Sequence, residues 1–332
     1  MNKKAVALFS GGLDSMLAIR LMLEQGIEIH ALHFYFVFTQ GTQDEAEENI
    51  KRFTLPLNVP VKIIDGTEEM IGIIRNPRYA VGKNINPCID CRIFTLKKAR
   101  QYMDEIGASF IVTGEVLGER PLSQRLDALK LIDRESGLEG LILRPLSAKL
   151  LNPTEPEKQG IINRDRLMDI SGRRRVQQLE LAKKFGINEY QTPAGGCLLT
   201  DKGFSARLRD LFQHNSDSDI NNLRLLRIGR HFRISDRVKF IVGRDEKENN
   251  ALLSLALSGD YIFDIPEIPS AIGIARGAAA DKDIEIMASI LARYSDLIGN
   301  NVKVSYKILP NEEWKIIPAS PADKNLLESI RI

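Results

Sequence analysis

The chain has 332 residues, enough for two domains and a further small segment, and its 43% hydrophobic and 27% charged content is that of an ordinary globular protein. A net charge of +2 excludes a global basic field for nucleic acid, and no apolar run approaches the length that spans a bilayer. After Asn2-Lys3-Lys4 the sequence turns strand-like at once, without the apolar core and cleavage site of a signal peptide. The expected location is therefore the cytoplasm, with no membrane partner.

Ala5 to Phe9 predicts a buried strand, and the apolar spacing of Met16 to Glu24 predicts a helix. Between them lies Ser10-Gly11-Gly12-Leu13-Asp14-Ser15. A glycine-rich turn from strand end to helix start gathers unpaired backbone N–H groups at the positive end of a helix dipole, which suits a phosphate. Gly11 and Gly12 let the backbone approach without a Cβ in the way, and Ser10 and Ser15 add hydroxyl donors. No G-K-[ST] follows, so this is not a Walker loop, and it is not a G-x-G-x-x-G fingerprint. The string resembles the PP-loop of the ATP pyrophosphatase superfamily, whose members cleave ATP between its α- and β-phosphates and adenylate a substrate. That resemblance implies ATP with Mg2+, held by Ser10, Gly11, Gly12, Asp14 and Ser15, with Asp14 serving the magnesium or the loop itself.

Glu28 to Phe36 predicts a second strand. In a PP-loop fold its end lies beside the adenosine, which makes Ala31, His33 and Phe34 candidate wall residues; packing is an equal alternative for each. Asp44 to Phe53 predicts a polar helical crossover, Val61 to Asp65 a strand, and Glu68 to Ile74 a helix stopping at Asn76-Pro77. A loop over Arg78–Pro87 precedes Cys88-Ile89-Asp90-Cys91, which leads into a helix over Phe94–Ile106. Phe110 to Gly114 is a strand whose Gly114-Glu115 end is where a parallel sheet presents ligand groups. A helix over Ser123–Leu131 and a strand over Leu141–Leu146 complete the alternation. It predicts an α/β fold, a doubly wound parallel sheet of the adenine nucleotide alpha hydrolase kind, over residues 1–150.

Residues 151–215 read as a helical connector carrying the third cysteine: a boundary at Leu150–Asn163, helical sequence over Asp165–Phe185 broken near Ser171-Gly172, a tight loop Thr192-Pro193-Ala194-Gly195-Gly196-Cys197, and a helix over Phe204–Phe212. Residues 216–332 read as a smaller α+β domain. It has helices over Ile220–Ile228 and Ile284–Tyr294 and strands over Val238–Val242, Tyr261–Ile265, Ile272–Ala275 and Val302–Ile308.

Cys88, Cys91 and Cys197 are the three cysteines, an odd number that argues against structural disulfides and toward metal, redox chemistry or buried spectators. Cys88 and Cys91 form a C-x-x-C pair able to chelate one metal centre. The plain alternative is a buried pair with an unrelated third thiol. Structural zinc wants four ligands, and no further C-x-x-C or H-x-x-x-H is near. Thiolates also suit iron–sulfur clusters, where three would leave one iron open to a small substrate such as hydrosulfide. Asn86-Pro87-Cys88-x-x-Cys91, with the PP-loop and a later glycine-preceded cysteine, resembles the MnmA-type tRNA 2-thiouridylases, many of which carry aspartate at the position of Cys88. So do the stretches Gly114–Pro121, Leu143–Leu146 and Pro193–Thr200. The third thiol makes the chain similar to the cluster-dependent tRNA thiolases. That implies a [4Fe-4S] cluster on Cys88, Cys91 and Cys197, with a persulfide relay through Cys91 and Cys197 as the alternative. The resemblance covers about the first 200 residues.

Farther on, Gly229-Arg230-His231-Phe232-Arg233, Ile241-Val242-Gly243-Arg244-Asp245 and Asn249-Asn250 resemble the NFACT-R domain, an RNA binder. Arg173-Arg174-Arg175 and the arginines between Arg207 and Arg244 add a basic bias that fits RNA. Arg230, Arg233 and Arg244 either meet phosphates or pair with Asp236, Asp245 and Glu246, and His231 is a base or, more simply, a structural residue. The expected activity is ATP-dependent thiolation of a tRNA uridine, with sulfide or a persulfide carrier as donor. A homodimer is compatible with the sequence. The competing readings are a PP-loop enzyme adenylating a small molecule and a non-catalytic RNA-binding factor.

Overall fold

Alternating apolar residues build the centre of the first sheet. In this computed structural model Ala5 and Ala7 of β1 (Lys4–Leu8) face one core while Val6 and Leu8 face another. The structure describes residues 1–39, 41–191, 197–215, 219–266, 268–295 and 301–332. They form two compact units, Met1–Thr200 and Asp201–Ile332.

The first unit runs β1, α1 (Leu13–Leu23), β2 (Glu28–Tyr35), α2 (Gln43–Thr54), β3 (Val61–Asp65), α3 (Thr67–Arg75), α4 (Cys88–Glu105), β4 (Phe110–Thr113), α5 (Leu126–Glu135), β5 (Ile142–Leu143), α6 (Glu155–Lys158) and α7 (Val176–Lys184). The five-stranded sheet has order β3-β2-β1-β4-β5, and its neighbours pair parallel. Strand order reverses between β1 and β4, so the loops after those two strands open at the switch point where such sheets bind ligands. Helix α1 packs Leu13, Leu17 and Ile19 on the Ala5/Ala7 face, and α4 packs Ile93, Leu96 and Ala99 on the Val6/Leu8 face. Each such fully buried large side chain contributes about 1.5–3 kcal/mol.

Helix α1 is apolar nearly all round, with Met16, Ala18, Leu21 and Met22 also buried. Its outer side is covered by α7, from the segment expected as a connector; Ala182 and Leu181 join the same core. The strand expected over Leu141–Leu146 is only Ile142–Leu143, because the chain turns at Arg144 and Pro145.

The second unit runs α8 (Lys202–His214), α9 (Ile220–Leu225), β6 (Arg230–Ser235), β7 (Val238–Val242), α10 (Glu246–Ser254), β8 (Tyr261–Asp264), β9 (Gly273–Arg276), α11 (Asp281–Arg293), β10 (Val302–Ile308), β11 (Lys315–Ala319) and α12 (Lys324–Ile330). Its antiparallel sheet has order β11-β10-β8-β9-β7-β6. Met287, Ala288 and Leu291 of α11 cover one face against Phe232, Phe240, Phe263 and Val304, while Leu225 and Leu252 meet Ile241, Ile262 and Ile274 on the other. Strands β6 and β11 escape the sequence reading because charged residues and exposed edge positions interrupt their apolar alternation. Among the described residues no helix is long and apolar enough to cross a membrane.

Candidate functional site

The glycine turn does what its composition dictates. Gly11 takes φ of +75°, a conformation few side chains tolerate, and Gly12 is the N-cap of α1. Ser15 Oγ donates to the Gly12 carbonyl at 2.7 Å and lies 3.4 Å from both the backbone N and the Oγ of Ser10. The Gly11 carbonyl accepts from the backbone N of Gln191 at 2.8 Å, which ties the chain leading toward Cys197 to this turn. Gly114, at the end of β4, lies under the first turn of α1. A Cβ there would sit 2.5 Å from Ser15 N and 2.7 Å from the Asp14 carbonyl oxygen, so only glycine fits. His33 on β2 bonds through Nδ1 to the Phe9 carbonyl at 2.8 Å, and burial lowers its pKa, leaving a neutral ring at the entry to the turn. Ala31 is fully buried, and the Phe34 ring stacks with Phe36.

Asp14 points from the first turn of α1 toward α7. Arg175 Nη2 reaches its Oδ2 at 3.2 Å, yet burial outweighs the arginine and raises the pKa of the carboxyl. The Gln178 amide lies close enough to favour the carboxylate but outside good hydrogen-bond geometry. Asp14 Oδ1, Arg175 Nε and both polar atoms of Gln178 are buried without a hydrogen bond. Buried polar groups are normally paired, so this cluster of exceptions beside a phosphate-type turn marks a candidate ligand site. Arg175 belongs to the basic cluster expected to face RNA; in the folded chain it serves Asp14.

The thiols come together on the neighbouring edge. Cys88 and Cys91 lie in the first turn of α4 itself rather than ahead of it, with Pro87 as N-cap. Cys197 is brought back by a bridge to Thr39, by Leu198 N donating to the Phe38 carbonyl at 2.8 Å, and by Asn84 Nδ2 donating to the Thr200 carbonyl at 2.8 Å. The residues just before it, Thr192 to Gly196, lie outside the described set. All three thiols are reduced. Burial pushes Cys91 up to about 12, with the nearby Cys197 and Cys88 adding to the rise and Arg92 opposing it. Burial likewise pushes Cys197 up to about 11 and raises Cys88, against Arg120. Among the described residues no three His, Cys, Asp or Glu side chains stand at single-ion spacing.

Behind the thiols runs a buried ionic chain that sequence spacing does not reveal. Arg92, next to Cys91, lies 3.3 Å from Glu115 Oε1; Arg144 Nε donates to Glu115 Oε2 at 3.0 Å and reaches Asp133 at 2.6 Å. Burial would raise Glu115, but Arg144 and Arg92 outweigh it and leave the carboxyl below its usual range. The group therefore stays charged and fixes the start of α4 to the loop after β4. Its only sequence trace is the position of Glu115 directly after the strand-ending glycine.

A family model described as thiamine biosynthesis protein (ThiI) matches residues 1–150. Residues 1–150 are a PP-loop domain of the ThiI type. A second model, described as NFACT protein RNA binding domain, matches residues 229–330, and the second unit carries that domain. The probable tRNA sulfurtransferase of Lysinibacillus sphaericus (strain C3-41) is 34% identical over 44% of this chain and 35% of its own length. The tRNA-specific 2-thiouridylase MnmA of Syntrophotalea carbinolica (strain DSM 2380 / NBRC 103641 / GraBd1) is 28% identical over 34% of each chain. The chain thus spans about a third of the length of these curated relatives. A solved 4-thiouridine synthetase–RNA complex with bound ATP aligns at a TM-score of 0.39 and 22% identity, covering 67% of this chain and 52% of that one.

Within the NFACT-R domain the motif arginines are mostly occupied. Arg233 grips Asp210 at 2.9 and 2.6 Å, Lys239 joins at 3.1 Å, and Arg244 pairs with Glu248 at 3.1 Å. Arg230 donates to the Gly243 carbonyl at 3.1 Å and lies over the Tyr294 ring at 4.6 Å. These partners replace the expected Asp236, Asp245 and Glu246. His231 is buried, its Nε2 2.7 Å from the Ile228 carbonyl, and burial lowers its pKa well below the usual range, which is the structural role.

Proposed function

We propose that this chain thiolates a uridine of tRNA with ATP. The observation that carries the reading is the return of Cys197 to the Cys88–Cys91 pair beside a phosphate-type turn held by the same first unit. ATP binds with its pyrophosphate end at Ser10, Gly11, Gly12 and Ser15, and Asp14 would hold Mg2+, which would supply positive charge to the phosphates. The uridine carbonyl oxygen attacks the α-phosphorus; pyrophosphate leaves, its charge spread over the turn's N–H groups. Sulfur then displaces AMP from the activated carbon. A base in a tRNA loop must be splayed out to reach this point. In this reading residues 1–150 activate the base, residues 151–215 supply the third thiol, and residues 216–332 hold RNA. Curated relatives named tRNA sulfurtransferase and the NFACT-R match support it.

Cys88, Cys91 and Cys197 would hold a [4Fe-4S] cluster. The fit rests on three reduced thiols close enough to perturb one another, with Arg92 and Arg120 near to offset their charge. Bound there, the group would supply a position for inorganic sulfide. The relay reading draws on the same return of Cys197 to the Cys88–Cys91 pair. One experiment separates them. Tested with ATP and tRNA, once with sulfide and once with a persulfide donor plus thiol reductant, Cys88→Ser abolishes sulfide-dependent thiouridine formation under the cluster reading and spares persulfide-dependent formation under the relay, as read by mass spectrometry of tRNA nucleosides. An enzyme of small-molecule substrates would show ATP–pyrophosphate exchange without added tRNA.

A further inference from the structure

We propose that Arg120 is a catalytic residue for the second half of this reaction, contacting both the incoming sulfur and the departing AMP. The proposal rests on the thiolation reading and gives a role to one residue of the Gly114–Pro121 stretch.

Arg120 sits at the tip of a braced loop. Gly118 N donates to the Gln124 carbonyl at 2.7 Å, Gln124 N to the Arg120 carbonyl at 3.1 Å, and Arg120 N to Gln124 Oε1 at 3.0 Å. Gln124 is buried, so these bonds fix the loop. One flank touches the chain toward the thiols: a Cβ on Gly82 would lie 3.0 Å from Leu122 Cδ2. The other flank touches the chain toward Arg175: Gly172 N donates to the Leu117 carbonyl at 2.7 Å. The loop therefore spans the gap between the thiol edge and the Asp14–Arg175 pair. The Arg120 side chain is exposed and enters no ion pair with a described residue. Its charge nonetheless reaches Cys88, Cys91 and Cys197 on one side and Glu119 on the other, and Glu119 in turn feels Asp14 and Arg175. An exposed arginine on a loop fixed by its backbone, between a nucleotide turn and a sulfur site, can meet an anion that arrives at either.

The reaction supplies that anion twice. Hydrosulfide attacks the base carbon that carries the adenylate. A C–S bond forms, the C–O bond breaks with its electron pair moving to the AMP phosphate oxygen, and the sulfhydryl proton passes to the ring nitrogen. No electrons are gained or lost overall. Both the nucleophile and the leaving group are anionic, and a planar guanidinium can donate to both at once. Adenylation needs no such bridge, because the pyrophosphate leaves at the glycine turn.

The test compares the two half-reactions in the full chain. Arg120→Gln is expected to lower sulfide-dependent thiouridine formation by about 10²–10³-fold. Its tRNA-dependent ATP–pyrophosphate exchange stays within about threefold of wild type, since adenylation does not use the residue. Arg120→Lys recovers part of the loss, and the melting temperature is unchanged. Wild-type thiouridine formation by Arg120→Gln, or equal loss of both half-reactions, overturns the assignment while leaving the thiolation reading intact. A wild-type chain that makes no thiouridine from ATP and tRNA with either sulfide or a persulfide donor ends both.

Discussion

The two units treat buried polar groups in opposite ways. In the second, charges close on one another: Asp210 accepts from Arg233 and Lys239, and Arg276 donates to Asp260, Asn221, Asn222 and the Leu255 carbonyl. The first closes one such network, Arg144 with Glu115 and Asp133, but leaves several buried polar atoms open, Arg20 Nε and Gln25 Nε2 among them. Asp14 Oδ1, Arg175 Nε and the Gln178 amide lack hydrogen bonds, and Glu115 Oε1 meets Arg92 only as an ion pair. His231 Nδ1 is the second unit's exception, and it lies inside the core. Closed networks specify a fold; open ones at a switch point wait for a ligand. The difference favours the proposed chemistry in the first unit and makes several motif arginines of the second part of its architecture.

The largest effect should come from opening a closed network. Asp210→Ala leaves Arg233 and Lys239 facing each other without their carboxylate, and should cost the second unit roughly 3–5 kcal/mol. Calorimetry should show its transition fall while that of the first unit holds; an unmoved second transition would erase the contrast. Next comes Gly114→Ala in the first unit. A methyl 2.5 Å from Ser15 N must displace backbone, and a shift of the glycine turn by even part of an ångström should lower activity by about 10²-fold. Nucleotide titration calorimetry should show the same loss, since the turn is what Gly114 supports.

These two positions also show how far the sequence can be read. The doubly wound sheet is legible because β1 to β4 and α1 carry unbroken apolar periodicity, and Ser10–Ser15 declares itself by composition. Gly114 is legible as a candidate at the end of its strand, but its part in packing is not, since a close approach of backbones leaves no local pattern. Arg175 reads as one of a basic run because its partner, Asp14, is distant in sequence. The pairing of Glu115 with Arg92 and Arg144 is invisible for the same reason: ionic pairing across a core has no period. In the second unit Arg233 carries a motif yet spends its guanidinium on Asp210. Under the proposed function, RNA would meet cations that are exposed, such as Arg209, Arg224 and Arg237. Replacing those three by glutamine should weaken RNA binding about tenfold at moderate salt. The slope of log affinity against log salt should flatten by about 1 for each phosphate left without its cation. Arg233→Gln should instead lower stability before it changes that slope.

The smallest effect is the most discriminating, because it is one of sign. Asp14 and Asp210 are the same residue type in opposite settings. Burial dominates at Asp14 and raises its pKa despite Arg175. At Asp210 burial acts the same way, but Arg233 and Lys239 outweigh it and lower the pKa. Linkage then runs in opposite directions. The folded first unit holds the Asp14 proton more tightly than the unfolded chain does, so this group's contribution is present below the ordinary aspartate value of 3.8 and is lost as pH rises through the folded pKa. The Asp210 contribution is present above that same value of 3.8 and is lost as pH falls through its lower folded pKa. Stability of each unit, followed by hydrogen exchange across that acidic range, should lose a slope of one sign with Asp14→Asn and of the other sign with Asp210→Asn. Parallel changes in the two variants would mean that Arg175 neutralises Asp14 as fully as the cations neutralise Asp210, and that the first unit's open edge is closed after all.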